Sequence, residues 1–241
     1  MNLQKKNLQE SNLPEEEKKN ITVSYRKGKK RKGVSSEVFP FKTDGEIKAM
    51  LDVFNKRTES VLPSSKWLTE RDKLLFIIGI NIGIRASDLC CITWNFFYDL
   101  KGEFREGYTI QPKKTKNKFV KLFFNNAVKS AVESYVEKFP ITCFDDYVFR
   151  SQKGSHINER TICDIIKRTA QEAGIKQNIG SHSLRKTFGF HVWHNAKNKD
   201  KALVLLQRAF NHSSTVVTLE YIGVTDDEIE ELYNTIDLGL E

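Results

Sequence analysis

Apolar side chains first recur with helical spacing at Ile47, Met50, Leu51 and Phe54, directly after Thr43 and Glu46. A threonine followed three residues later by a glutamate can close a capping box, so an amphipathic helix is expected there, with the folded body starting near Phe41. Thr69 is placed to cap a second, more buried helix running through Ile82. After a turn at Gly83, residues 85–94 read as a third. The runs GYTIQP and FVKLFF flank KKTKNK and predict a small antiparallel hairpin with a basic tip. Helical periodicity returns over residues 158–173, where Ile162, Ile165, Ile166 and Thr169 share one face ahead of a stop at Gly174. Further helices are expected over residues 183–195 and 200–210. No internal repeat interrupts this order, and the fold class it predicts is mainly α with a small antiparallel β-sheet.

Outside the body the pattern changes. Residues 1–39 are polar, contain RKGKKRKG and have no sustained apolar period, which predicts a flexible basic arm. Residues 40–225 form the body. Residues 226–241 are acidic and place Ile229, Leu232, Tyr233 and Ile236 at helical spacing, as expected of a helix that docks on a neighbouring protomer or closes its own core. A chain of 241 residues with 39% hydrophobic content supports one sizeable core. The longest apolar run, residues 74–84, is broken by Gly79, Asn81 and Gly83 and falls short of the roughly 20 residues a membrane helix needs. The first residues carry no apolar leader, so a cytoplasmic, nucleoid-associated protein is expected.

Charge narrows the choice of partner. Residues 1–42, 43–225 and 226–241 carry +6, +9 and −7, for a net +8. A basic body with a basic arm is the footprint of a protein that binds a polyanion, because phosphate contacts supply most non-specific affinity for DNA. Cys90, Cys91, Cys143 and Cys163 form no CxxC motif and are read as small hydrophobes, with neither a disulfide nor a zinc site expected. His191 and His194 sit at helical spacing but have no acidic or cysteine partner in sequence, and are read as core or surface residues.

Several residue groups remain. HSLRK sets His182 and Arg185 three residues apart, on one face of a helical turn. GIRASDL surrounds Arg85, the hairpin tip is rich in lysine, and NHSSTVVTLEY places His212 nine residues before Tyr221. In this order the groups resemble the pattern of the tyrosine recombinase (phage integrase) family: Arg, Lys, His-x-x-Arg, His or Trp, and Tyr. The match spans about residues 43–225. By resemblance, Arg85 takes the first arginine position, His182 and Arg185 the second box, His212 the third, and Tyr221 the place of the nucleophile. Lys114 is the hairpin lysine most similar in placement, with Lys116 and Lys118 as alternatives.

The chemistry implied needs neither metal nor cofactor. In-line attack on a phosphodiester loads charge onto its non-bridging oxygens, which two permanently charged arginine forks, Arg85 and Arg185, can clamp. Tyrosine ionises near pH 10, so Tyr221 needs a base, for which His182 is the candidate, and Lys114 would protonate the leaving 5′ oxygen. His212 would donate a hydrogen bond to the phosphate. The 3′-phosphotyrosyl ester keeps the phosphodiester linkage, so a second 5′ hydroxyl can displace the enzyme without ATP. The resemblance further implies double-stranded DNA as partner, a tetramer on paired DNA sites, accessory DNA-bending proteins, and integration, excision or inversion of a mobile element.

The departures from the family pattern are specific. Phe210-Asn211 precedes His212 where glycine is usual, although asparagine tolerates the left-handed conformation such a turn needs. Asp88 stands where glutamate is common. About 40 residues precede the body where full-length integrases carry a core-binding domain of roughly a hundred, so a short form is expected. The competing readings are a type IB topoisomerase, which would rejoin the same strand, and a catalytically impaired DNA-binding accessory factor.

Overall fold

The computed structural model describes residues 37–114 and 118–224. The basic segment before residue 37, the middle of the hairpin tip and the acidic C-terminal segment, to which the arm and docking-helix expectations refer, lie outside the described residues. Among the described residues, eight helices and a two-stranded sheet occur in the order α1 (Asp44–Ser60), α2 (Lys66–Ile82), α3 (Ala86–Leu89), β1 (Gly107–Ile110), β2 (Val120–Phe123), α4 (Asn126–Lys138), α5 (Glu159–Glu172), α6 (Ser181–His194), α7 (Lys199–Phe210) and α8 (Thr215–Ile222). The architecture is mainly helical with one small antiparallel sheet, as expected. Among the described residues no helix is long and apolar enough to cross a membrane.

Helix α1 starts with the expected capping box. Thr43 accepts from the Glu46 N–H, and the Glu46 carboxylate accepts from the Thr43 N–H at 3.1 Å. The body begins slightly earlier than Phe41, because Phe39 N–H donates to the Asn178 carbonyl at 2.9 Å and Glu37 pairs with Lys186 at 3.4 Å. Residues 37–39, assigned to the arm from sequence, are therefore bound to the body.

Helix α2 corrects one expectation. It starts at Lys66, not after Thr69, because the Pro63–Ser65 3-10 turn already sets the backbone for a helix and Thr69 is buried one turn inside it. The helix is central, packing on α1, α4 and α6. Its buried charges are paired: Arg71 with Asp72 at 2.6 Å, and Glu70 with Lys138 at 2.8 Å.

The expected third helix, residues 85–94, shrinks to the single turn α3. The chain then runs extended through β-branched Ile92 and Thr93, which pair with the 146–148 segment: Val148 N–H donates to the Ile92 carbonyl and Trp94 N–H to the Asp146 carbonyl. Non-local backbone pairing overrides the helical reading here. The hairpin forms as expected, with shorter strands and the register Gly107↔Phe123 through Ile110↔Val120. Tyr108 and Leu122 face the core while Thr109 and Lys121 face solvent.

Helix α5 turns Ile162, Ile165, Ile166 and Thr169 inward and is followed by Gly174 at φ +75°. Helices α6 and α7 fall within two residues of the expected spans. Helices α4 and α8 add to those expected, α4 burying Val128, Val132 and Tyr135 at i, i+4 and i+7. Among the described residues the buried apolar side chains form two clusters. A large one runs from Phe41 through α2, the hairpin, α4 and α5 to Leu184. A small one consists of Phe190, Leu206, Phe210 and Ile222, with Tyr221 packed against it.

Candidate active site

The ends of two helices meet where α6 passes between the clusters. Gly83 caps the C-terminus of α2 in the left-handed conformation (φ +67°), and Phe210 is the last residue of α7, which Asn211 caps at φ +57°, ψ +49°. The last carbonyls of a helix have no intrahelical partner and carry the negative end of its dipole, so they attract cations. Arg185, reaching from α6, donates to both: Nη1 to the Gly83 carbonyl at 2.6 Å and Nη2 to the Phe210 carbonyl at 3.3 Å. Its guanidinium also lies 4.1 Å from the centre of the Phe210 ring. Arg85, the N-cap of α3, donates from Nη2 to the same Phe210 carbonyl at 3.4 Å. The two arginines, one hundred positions apart in sequence, thus share one acceptor.

Asn211 adopts the left-handed turn that glycine would adopt without strain, as the sequence reading anticipated. The chain then reverses into α8, which Ser214 caps. This brings the His212 ring to 4.8 Å from the Tyr221 ring, edge to face, and His212 Nδ1 to 3.1 Å from the Thr218 hydroxyl. Helix α8 lies close against α6. A β-carbon at Gly189 would sit 2.6 Å from Ile222 Cγ2, so only glycine allows this approach.

The electrostatics follow from burial and crowded positive charge. Burial holds Tyr221 above the usual phenol value, while Arg185 and Arg85 pull in the opposite direction. Burial lowers Arg185 to about 10, with Tyr221 opposing the shift and Arg85 reinforcing it. Burial, then Arg185 and Arg85, lowers His212. His182 lies at the start of α6 with its side chain at the surface. Desolvation by the surrounding protein pushes it down, Lys114 reinforces the shift, and Glu159 opposes it.

The hairpin lysines divide. Lys114 acts on His182 from the near side of the tip. Lys118 Nζ donates to Asn211 Oδ1 at 2.5 Å, beside His212. Lys116 lies outside the described residues. Lys118 also lines a cleft of about 490 Å³ with Arg85, Asp88, Arg185, Arg208 and Asn211. A larger cavity of about 890 Å³, lined by Arg57, Arg71, His156 and Arg168, contains none of the expected residues. The structure thus brings Arg85, Arg185, His212 and Tyr221 together around Phe210, with Lys114 near His182 on the flank. The sequence reading did not single out the two accepting carbonyls or Thr218. Gly83 was legible as a turn, but a backbone carbonyl has no sequence signature.

The histidines read as structural have structural partners. His191 Nε2 lies 2.9 Å from the Phe41 carbonyl, and His194 stacks on Phe190. All four cysteines are free.

A model of the phage integrase family matches residues 43–228, and the chain belongs to that family. The chain is 31% identical over 165 residues to the probable integrase/recombinase YoeC of Bacillus subtilis (strain 168), covering 68% of this chain and 83% of YoeC. It is 28% identical over 196 residues to the tyrosine recombinase XerH of Campylobacter jejuni, covering 79% of this chain and 50% of XerH. With the tyrosine recombinase XerC of Thermodesulfovibrio yellowstonii it shares 25% identity, covering 70% and 55%. The chain spans about half the length of these last two relatives. The fold matches the crystal structure of XerA recombinase with a TM-score of 0.59 at 20% identity, covering 83% of this chain and 65% of that one. It matches XerH bound to palindromic difH substrate with a TM-score of 0.59 at 21% identity, covering 83% and 54%.

Proposed function

We propose that this chain is a site-specific DNA recombinase that cleaves and rejoins strands through a 3′-phosphotyrosyl bond to Tyr221. The observation that carries this reading is the convergence of Arg85 and Arg185 on the Phe210 carbonyl, with His212 and Tyr221 packed on the same residue. Two cations with many donors that share the Phe210 carbonyl in one cleft are a receptor for a phosphate that offers better acceptors.

In this mechanism the arginines receive the non-bridging oxygens and Tyr221 attacks the phosphorus. His182, kept neutral by its lowered pKa, takes the phenolic proton, and Lys114 gives a proton to the departing 5′ oxygen. Arg185 and Arg85, which after burial also lower His212, favour the phenolate and offset part of what burial does to Tyr221. His212, oriented by Thr218, donates to the phosphate. Lys118 is the second candidate for the acid because it lines the cleft with both arginines.

Double-stranded DNA is the partner in this reading, and a tetramer on paired sites is the assembly. XerH bound to difH is a structural neighbour, and the basic charge of the chain fits the same substrate class. The test is to incubate the full chain with fragmented genomic DNA of its host, isolate covalent protein–DNA complexes, and map the modified residue by mass spectrometry. Tyr221→Phe is expected to abolish the adduct while DNA binding persists, since only the attacking oxygen is lost. An adduct on another residue, or one that survives Tyr221→Phe, overturns the assignment. Cleavage that requires magnesium overturns the mechanism.

A further inference from the structure

On the flank of α3 the fold brings His156 to the adjacent pair Cys90 and Cys91, 65 positions from Cys91 in the sequence. Cys90 Sγ and Cys91 Sγ are 3.7 Å apart, and Cys91 Sγ is 3.6 Å from His156 Nε2. All three ligand atoms lie within 4.8 Å of one another. Zn–S bonds of about 2.3 Å and Zn–N bonds of about 2.0–2.1 Å in a tetrahedron put S···S at about 3.8 Å and S···N at about 3.6 Å. The two shorter edges already have those lengths.

The imidazole is also oriented for ligation. Its Nδ1 is 2.6 Å from the Ile157 carbonyl, which can only accept, so Nδ1 carries the proton and the Nε2 lone pair faces Cys91. This backbone contact is the kind of support that fixes the tautomer of a metal-binding histidine. The Lys113 ammonium donates to Cys91 Sγ at 2.8 Å. Cys91 and Lys113 also line a cleft of about 340 Å³, whose lining includes neither Cys90 nor His156.

We propose that Cys90, Cys91 and His156 form a binding site for one zinc-class divalent cation. Two sulfur donors and one imidazole select zinc over magnesium or calcium, and binding releases thiol protons. The ion would tie the segment following Arg85 to the turn between Arg150 and His156, which a backbone bridge already closes. It would also bear on the hairpin, because Lys113 N–H is bonded to Asp88 Oδ1 at 3.0 Å and Lys114 follows directly. The site is independent of the role assigned to Tyr221.

The test uses untagged full-length chain, stripped with a chelator and titrated with Zn²⁺ against a chromophoric competitor. A parallel titration with Co²⁺ reports thiolate coordination by its charge-transfer absorption. One equivalent is expected to bind, with proton release and a raised Tm. Cys91→Ser and His156→Ala, each checked by circular dichroism for the apo fold, are expected to lose the cobalt–thiolate band and the stoichiometric site. Cys143→Ser and Cys163→Ser keep both. Absence of stoichiometric binding, or binding that survives both Cys91→Ser and His156→Ala, overturns the proposal. So does binding lost equally in Cys143→Ser.

Discussion

The two hydrophobic clusters differ in size and in what they hold. The large cluster gathers fully buried Phe41, Phe54, Phe76, Phe97 and Phe149 from elements spread over the body, and it carries Arg85 and the hairpin. Among the described residues the small cluster has four buried apolar residues, contributed by α6, α7 and α8, and it seats Tyr221 on the eight-residue α8. Stability is unevenly distributed in such an arrangement, because a short helix with few buried neighbours opens at lower cost than a core element. The element carrying the proposed nucleophile is thus the more easily moved, while the arginines that would bind phosphate are anchored in or against the larger core. Arg185 joins the regions, with one nitrogen on Gly83 at the end of α2 and another on Phe210 at the end of α7.

The largest expected effect is on the large cluster. Phe76 packs edge to face on Phe41 and in a tilted arrangement on Phe54, and is fully buried. Phe76→Ala is expected to cost about 3–5 kcal/mol in global stability, read by chemical denaturation. If Phe76→Ala instead left the midpoint unchanged, the distinction between the clusters would be lost.

Next come the arginines. Arg85→Ala is expected to slow strand cleavage by on the order of a hundredfold or more, through loss of charge stabilisation in the transition state, with magnesium giving no rescue. Arg185→Ala should match that loss and also lower Tm, because the Gly83 and Phe210 carbonyls then lose a buried partner. Equal Tm values for the two variants would refute the bridging role of Arg185.

A smaller effect sharpens the contrast within the small cluster. Ile222 is fully buried, and Ile222→Val is expected to cost about 1 kcal/mol. Amide hydrogen exchange should accelerate in α8 and leave α2 and α4 unchanged. Uniform acceleration would mean that the clusters open together.

The smallest effect concerns ionisation. Burial and Lys114 both lower His182, so its neutral, proton-accepting form extends to lower pH than in a free imidazole. A folded-state pKa below the unfolded one makes the body more stable above the unfolded value, and that contribution falls away as pH drops through it. Lys114→Ala removes the largest of the charges that depress it alongside burial, so the His182 titration followed by NMR is expected to move upward. An unchanged titration would separate Lys114 from the site and favour Lys118.

The elements legible in the sequence were those specified by local pattern. The Thr43–Glu46 box, the α5 stripe and the Asn211 turn each depend on residues within a few positions of one another. The third helix was misread because Ile92 and Thr93 find their partners near Val148, some fifty positions away, and that pairing outweighs local periodicity.

The sequence by itself determined the family, the fold class and the types and order of the residues proposed for catalysis, because a reaction at phosphorus constrains side-chain chemistry directly. Tertiary structure alone decided how they meet. It set the two helix C-termini whose unpaired carbonyls hold Arg85 and Arg185, the glycine contact that seats α8 against α6, and the turn that carries His156 to Cys91. The physical reason is common to all three. Backbone carbonyls and space carry no sequence letter, and each arises only when segments far apart in the chain pack together.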